Sequence, residues 1–222
     1  MHLFVDIKLK SAVDLEAWKK TFPNPACSPA YYTRSLFVGC LEAITVADGE
    51  EGGWIRSFTN VVRLNLVWSD TTDWHRLKDS FVPFHNFSPT LRSLHLVSTT
   101  FLSPYTFDLV CSLPLLEDLA IVNDGYEANI DDEGGVAFRY PTSPVLTGTL
   151  SLLQGLKYAI PRLLSLPNGL RFRKFVCESF LEGDLQRVAA LVKRCSDTLE
   201  CVDVRWWMPS MSPFGPHGGT ST

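Results

Sequence analysis

The feature that most constrains the fold of this chain is a pattern that occurs twice between Ser88 and Asn123. Each copy reads apolar-x-x-apolar-x-apolar, and the two sets of apolar residues are Leu91, Leu94 and Leu96, followed by Leu116, Leu119 and Ile121. Alternation around Leu94 predicts a strand that buries its leucines on one face and presents His95 on the other. The segment between the copies, Ser103 to Leu113, has the pattern of a short amphipathic helix. Because one strand and one helix cannot bury their own apolar faces, we expect further copies that stack on these two.

Further copies follow one another along most of the chain. Their middle apolar residues are Leu36, Leu64, Leu94, Leu119, Leu150, Phe175 and Val202. The spacings of 28, 30, 25, 31, 25 and 27 residues lie near the leucine-rich period of about 20 to 29, in which each repeat supplies a strand and a helix or helical turn. The asparagine or cysteine that regular repeats place after the strand is replaced by Ser69, Thr99, Asp124, Gly155, Phe180 and Trp207. The predicted fold is therefore α/β, a degenerate leucine-rich-repeat solenoid with a curved parallel β-sheet on its concave face and short helices on its convex face.

The same pattern divides the chain into three parts. Residues 1–30 are predicted to be a strand, a helix and a proline-rich loop that form a partial first repeat or a cap. Residues 31–207 are the leucine-rich-repeat-like domain, with strands predicted at Tyr31 to Cys40 and Val145 to Leu153 among others. An insertion loop rich in Gly, Asp and Pro is predicted at 123–144, and a disordered tail at 208–222.

Composition and charge exclude several classes of function. The 20 basic and 24 acidic residues are interspersed, without the basic stripe that a nucleic-acid partner needs. No apolar run approaches the length of about 18 residues that a membrane span requires. The six cysteines contain no Cys-x-x-Cys pair, and no secretory signal peptide opens the sequence. We therefore expect reduced thiols rather than a zinc site or disulfides, and an intracellular location, cytoplasmic or nuclear.

No motif indicates catalysis, and we expect no enzymatic activity. The sequence lacks a Gly-x-Ser-x-Gly nucleophile elbow, and the pairs Gly52-Gly53 and Gly134-Gly135 lack the strand, helix and lysine of a phosphate loop. His75, His85 and His95 belong to different predicted elements, which disfavours a shared metal ion. The acidic run from Asp131 to Glu133 lacks the alternation of a calcium loop. The sequence predicts neither a cofactor nor a metal.

A protein partner fits the sequence better, because stacked strands place every second side chain on one continuous surface. The predicted central row is Phe37, Asn65, His95, Ala120, Ser151, Val176 and Asp203, with Arg63, Ser93, Asp118, Lys174 and Arg205 beside it. The residues predicted to contact the partner, whose identity stays open, are Phe37, Arg63, Asn65, His95, Asp118, Ser151, Lys174, Val176, Asp203 and Arg205. The mixture of polar and apolar groups suits a protein or peptide and disfavours an anionic polymer. The alternative is that these are ordinary solvent-facing strand residues without a ligand.

Several blocks of the sequence carry a resemblance to a protein family. They are TFPNPACSPAYYTRSLFVGC, EGGWIRSF, FVPFHNFSPTLRSLHL, SLPLLEDLAIVN, SPVLTGTLSL and PRLLSLPNGLRFRKF. Up to about Trp207 the chain resembles the F-box domain-containing or F-box-like proteins of mushroom-forming (basidiomycete) fungi. The resemblance implies a leucine-rich region that selects the partner and an N-terminal F-box that engages a Skp-type adaptor of a cullin ubiquitin ligase. No segment before Tyr31 resembles an F-box, so adaptor binding is expected only with an upstream F-box, and the alternative is a leucine-rich scaffold without a link to ubiquitin.

Overall fold

The computed structural model describes residues 6–49, 53–68, 79–98, 104–123, 142–154, 156–180 and 182–206. Within these ranges the chain forms an α/β fold with one eight-stranded sheet. The strands are β1 (Asp6–Leu9), β2 (Ser35–Val38), β3 (Arg63–Trp68), β4 (Ser93–Ser98), β5 (Asp118–Asn123), β6 (Thr149–Leu153), β7 (Lys174–Phe180) and β8 (Cys201–Trp206). All neighbouring strands are parallel, and their order in the sheet is their order along the chain. The predicted α/β class and parallel sheet are confirmed.

Described helices and helical turns lie between all successive strands except β5 and β6. The α-helices are α1 (Ala12–Thr21), α2 (Leu41–Asp48), α3 (Gly53–Arg56), α4 (Pro104–Cys111), α5 (Leu156–Leu164) and α6 (Leu185–Arg194). The 3₁₀ helices are Pro25–Cys27, Pro29–Tyr32, Val82–Phe87 and Glu182–Asp184. Within the described ranges, no helix is long and apolar enough to cross a membrane.

Two strands are shorter than the sequence predicts, and local backbone conformation explains both differences. The predicted strand from Tyr31 begins only at Ser35, because Pro29 opens a 3₁₀ turn in which the Ser28 hydroxyl accepts a hydrogen bond from the Ala30 amide. The predicted strand from Val145 begins only at Thr149, because Leu146 has a φ of +40° and interrupts the extended conformation.

The core consists of the apolar residues that the repeat pattern singles out. The register pairs Leu36, Leu64, Leu94, Leu119, Leu150, Phe175 and Val202 with one another across seven successive strands. The first six are buried and pack in one cluster with helical residues such as Phe107 and Leu163, whereas Val202 is exposed. The repeat alignment made from sequence therefore coincides with the register of the sheet.

A backbone motif recurs where the strands begin. The carbonyl of Arg34 accepts hydrogen bonds from the successive amides of Val62 and Arg63, at 2.8 and 3.0 Å. The same two-amide arrangement recurs at the carbonyls of Val62, Arg92, Gly148 and Arg173. At these five carbonyls the neighbouring repeats are tied through main-chain atoms alone, so the register there does not depend on the identity of outward-facing side chains.

Some sequence predictions lie outside the described residues. The predicted insertion loop includes Asn123, which is the last residue of β5, and the chain is described again from residue 142. Residues 124–141 of that loop, His75 and the predicted tail at 208–222 lie outside the described ranges, as do five of the six positions that replace the repeat asparagine. The sixth, Phe180, ends β7.

Candidate protein-interaction surface

The two faces of the sheet differ in what covers them. On the core face, alternate residues of β2 to β7 pack against the helices and are almost fully buried. On the opposite face, which we call the open face, the strand residues between them are partly or fully exposed in β2 to β8. This division follows from the period of two along each strand, since one set of side chains contacts the helices and the other does not.

The central row of the open face is in register across seven strands. Phe37 pairs with Asn65, Asn65 with His95, and the row continues through Ala120, Ser151, Val176 and Asp203. Every member of the row is partly exposed. Six of the ten residues predicted to contact a partner therefore lie in one line across the sheet.

The other four predicted contact residues lie on both sides of this row. Arg63, Asp118 and Lys174 occupy the preceding row, at the strand starts, and Arg63 and Lys174 are exposed. Asp118 also has a structural role, since its Oδ1 accepts a hydrogen bond from the Thr149 amide at 2.6 Å. Arg205 lies on the opposite side of the row. The structure thus places all ten residues on the open face.

A third row of the open face is aliphatic, and none of its aliphatic residues is among those predicted from sequence to contact a partner. Val67, Val97, Val122 and Leu153 are paired in register on four adjacent strands, and each is partly exposed. Because adjacent strands are about 4.8 Å apart, the four side chains form a stripe about 14 Å long. They could have been found from sequence, because each lies two positions after a residue of the central row and therefore has the same orientation.

Charged side chains end this aliphatic row. Glu178 is in register with Leu153, and its Oε1 accepts a hydrogen bond from Arg205 at 3.1 Å. The Arg205 guanidinium also lies 3.4 Å from the Asp203 carboxylate. All three side chains are well exposed, so these ion pairs contribute little to stability and remain available to a partner.

Two polar side chains face each other at the centre of the open face. Asn65 and His95 are opposite one another on β3 and β4. Asn65 Oδ1 is buried and has no hydrogen-bond partner. Burial lowers the pKa of His95, so its imidazole is neutral at pH 7 and offers one donor and one acceptor.

One apolar crevice lies between α6 and the sheet, and it is lined by Leu150, Phe172, Phe175, Leu191, Val192, Cys195 and Leu199. It is too narrow to hold a water molecule and its lining side chains are apolar, so it belongs to the core. Within the described ranges, no group of three or more His, Cys, Asp or Glu residues is placed to hold a metal ion.

Comparisons with known proteins do not identify this surface. No protein-family model matches the chain, and no curated protein or solved structure matches it either. What the open face binds must therefore be inferred from its own geometry and chemistry.

Proposed function

We propose that the chain is a protein–protein interaction module of the leucine-rich-repeat type, a curved solenoid whose concave side is the open face. The observation that carries this proposal is the aliphatic row of Val67, Val97, Val122 and Leu153, which is partly exposed in register over four strands. Protein-binding patches combine an apolar centre with a polar rim. Here the aliphatic row is bordered on one side by Asn65, His95 and Ser151 of the central row, and at one end by Glu178 and Arg205.

We further propose that the partner is a protein destined for ubiquitin transfer, and that the chain is the substrate-recognition part of an F-box-like adaptor of a cullin ubiquitin ligase. The support for this step is the family resemblance of the sequence blocks together with a sheet in which seven repeat positions are in register. If no ligase component is involved, the same surface serves a leucine-rich scaffold.

The binding proposal is tested with a matched pair of Val→Lys variants. Val122→Lys places a charge in the aliphatic row, whereas Val46→Lys places the same charge on α2, where Val46 is 79% exposed. Both variants and the wild type are used as baits in quantitative co-purification from the native cell extract. We expect a set of proteins that Val46→Lys retains and Val122→Lys loses, with both variants melting near the wild-type temperature. Equal recovery by both variants would refute binding through the open face.

The ligase proposal needs a separate experiment. A purified Skp-type adaptor is titrated, by calorimetry, into this chain and into a form extended through any in-frame upstream coding sequence. We expect the adaptor to bind the extended form only. If neither form binds it while the Val122→Lys experiment succeeds, the scaffold alternative is correct.

A further inference from the structure

β8 ends the sheet with an edge that no other described strand covers. Its core-side residues Val202 and Val204 are 48% and 40% exposed, whereas Cys177, which pairs with Val204, is buried. At the opposite edge, β1 buries its core-side Leu9 and carries the exposed Lys8. The two edges therefore differ on their core side, which is buried at Leu9 of β1 and apolar and exposed at Val202 and Val204 of β8. On the open face, β8 carries the exposed charges of Asp203 and Arg205.

Backbone geometry determines which groups of β8 are available for pairing. The Cys201 amide donates to the Arg173 carbonyl of the β7 side at 3.0 Å. In a parallel pair, alternate residues direct both N–H and C=O towards one neighbour, so Cys201 and Asp203 bond towards β7. Val202 and Val204 consequently direct their N–H and C=O groups away from the sheet. The register irregularity of this pair adds a residue on the β7 side, so alternation along β8 is unbroken.

We propose that this edge pairs with the β8 edge of a second copy of the chain, antiparallel and around a two-fold axis at Val204. A two-fold contact uses the same patch on both copies, so each residue must suit the residue it meets. With Val204 on the axis, the outward N–H and C=O of Val204 meet those of the second copy in a hydrogen-bonded pair. Asp203 then lies opposite Arg205 of the second copy, and this contact occurs twice.

Charge selects this register over its neighbours. An axis at Asp203 would place two aspartates directly opposite each other, and an axis at Arg205 would place two arginines opposite each other, both of which destabilise a strand pair. An axis at Val202 would avoid both conflicts but would leave about half of β8 unpaired. The Val204 register pairs nearly all of β8 and continues the core of each copy across Val202 and Val204.

Sedimentation equilibrium over a range of concentrations tests the proposal. The wild type is expected to approach twice the chain mass of 24.9 kDa as concentration rises. Asp203→Arg and Arg205→Asp each create two like-charge contacts, so each is expected to raise the dimer dissociation constant by about tenfold or more. The double variant Asp203→Arg, Arg205→Asp is prepared in a Glu178→Gln background, because Glu178 would otherwise lie beside the new carboxylate; it restores opposite charges across the contact and is expected to restore the dimer.

A second variant distinguishes the loss of edge pairing from the loss of monomer folding. Val204→Pro removes an amide that does not bond to β7, so it is expected to abolish the dimer while leaving the circular dichroism and melting temperature of the monomer nearly unchanged. A wild type that stays at 24.9 kDa at all concentrations would overturn the proposal, as would a double variant that fails to regain the dimer. A monomer that Val204→Pro destabilises would show instead that the chain covers this edge with its own residues. Val122→Lys is expected to leave the dimer intact, since the inference does not depend on the open-face partner.

Discussion

Gly148→Ala is expected to destabilise the protein through one side chain, Asp118. A Cβ on Gly148 would lie 2.9 Å from Asp118 Cγ and 3.1 Å from the Glu117 carbonyl oxygen, with Asp118 Oδ1 closer still. That carboxylate is the acceptor for the Thr149 amide at the start of β6. The added methyl group must therefore displace the acceptor and leave a partly buried N–H without its partner.

The magnitude follows from two contributions. A hydrogen bond to a charged group is worth about 1.5–3 kcal/mol, and overpacking against neighbouring atoms costs about 1–3 kcal/mol. Because moving the carboxylate relieves part of the overpacking, we expect Gly148→Ala to lower the free energy of unfolding by about 2–4 kcal/mol. Asp118→Ala alone should lose about 1.5–3 kcal/mol, since it removes the same hydrogen bond without the clash.

A double-mutant cycle in urea distinguishes this mechanism from a general loss of glycine flexibility. In the Asp118→Ala background the clash is gone, so the double variant should be about 2 kcal/mol more stable than the sum of the single effects predicts. Gly183→Ala is the control, because no atom lies within 4 Å of its added Cβ and its φ is not positive; we expect no loss, or a gain of up to about 1 kcal/mol. Additive effects at Gly148 and Asp118, at constant m-value, would refute the mechanism.

Three further predictions concern buried polar groups. Thr33→Val and Thr106→Val should each raise the free energy of unfolding, measured in urea, by about 1 kcal/mol, because both hydroxyls are fully buried without a hydrogen-bond partner. A lower free energy of unfolding in both variants would mean that the hydroxyls do form hydrogen bonds. Burial lowers the pKa of His95 below 6.5, so the unfolded chain binds the imidazole proton more tightly than the folded protein does. The contribution of neutral His95 to stability should therefore be complete above pH 6.5 and should be lost as the pH falls below it. The free energy of unfolding, measured across this range, should fall less for His95→Gln than for the wild type. A thiol reagent at pH 8 should label the native protein only at its exposed cysteines, which are Cys27, Cys40 and Cys201. The reason is that burial raises the pKa of Cys111 to about 12 and of Cys177 to about 11. Rapid labelling of Cys111 or Cys177 would contradict this prediction.

The register of the sheet was predictable because it depends on burial. Leu64, Leu94 and Leu119 must share one face, and a shift of one residue would turn all of them to the other face. Aligning the middle apolar residues therefore aligned the strands as well. The same alternation predicted from sequence alone that Asn65 and His95 share the open face, and the register pairs them.

The exceptions arose where a single backbone or side-chain interaction overrides the pattern. The left-handed Leu146 shortens β6, and apolar content alone does not reveal a positive φ. The role of Asp118 as acceptor for Thr149 does not show in the sequence pattern, because it depends on the close approach of Gly148, the residue before β6. The exposure of Val202 and Val204 was equally hidden, since their pattern is that of core residues such as Leu9, which is buried at the other edge of the sheet.

These distinctions decide which substitutions can report on binding. In most repeats the main chain alone ties one strand to the next, so open-face side chains can change without loss of register. Asp118 is the exception among the ten predicted contact residues, because its carboxylate takes part in that main-chain connection. A partner lost on Asp118→Ala could reflect a displaced β6 as readily as a lost contact. Val122 has the same open-face orientation on the same strand, and its side chain forms no hydrogen bond. Substitution of Val122 therefore reports on binding at this strand, whereas substitution of Asp118 reports on the stability of the fold.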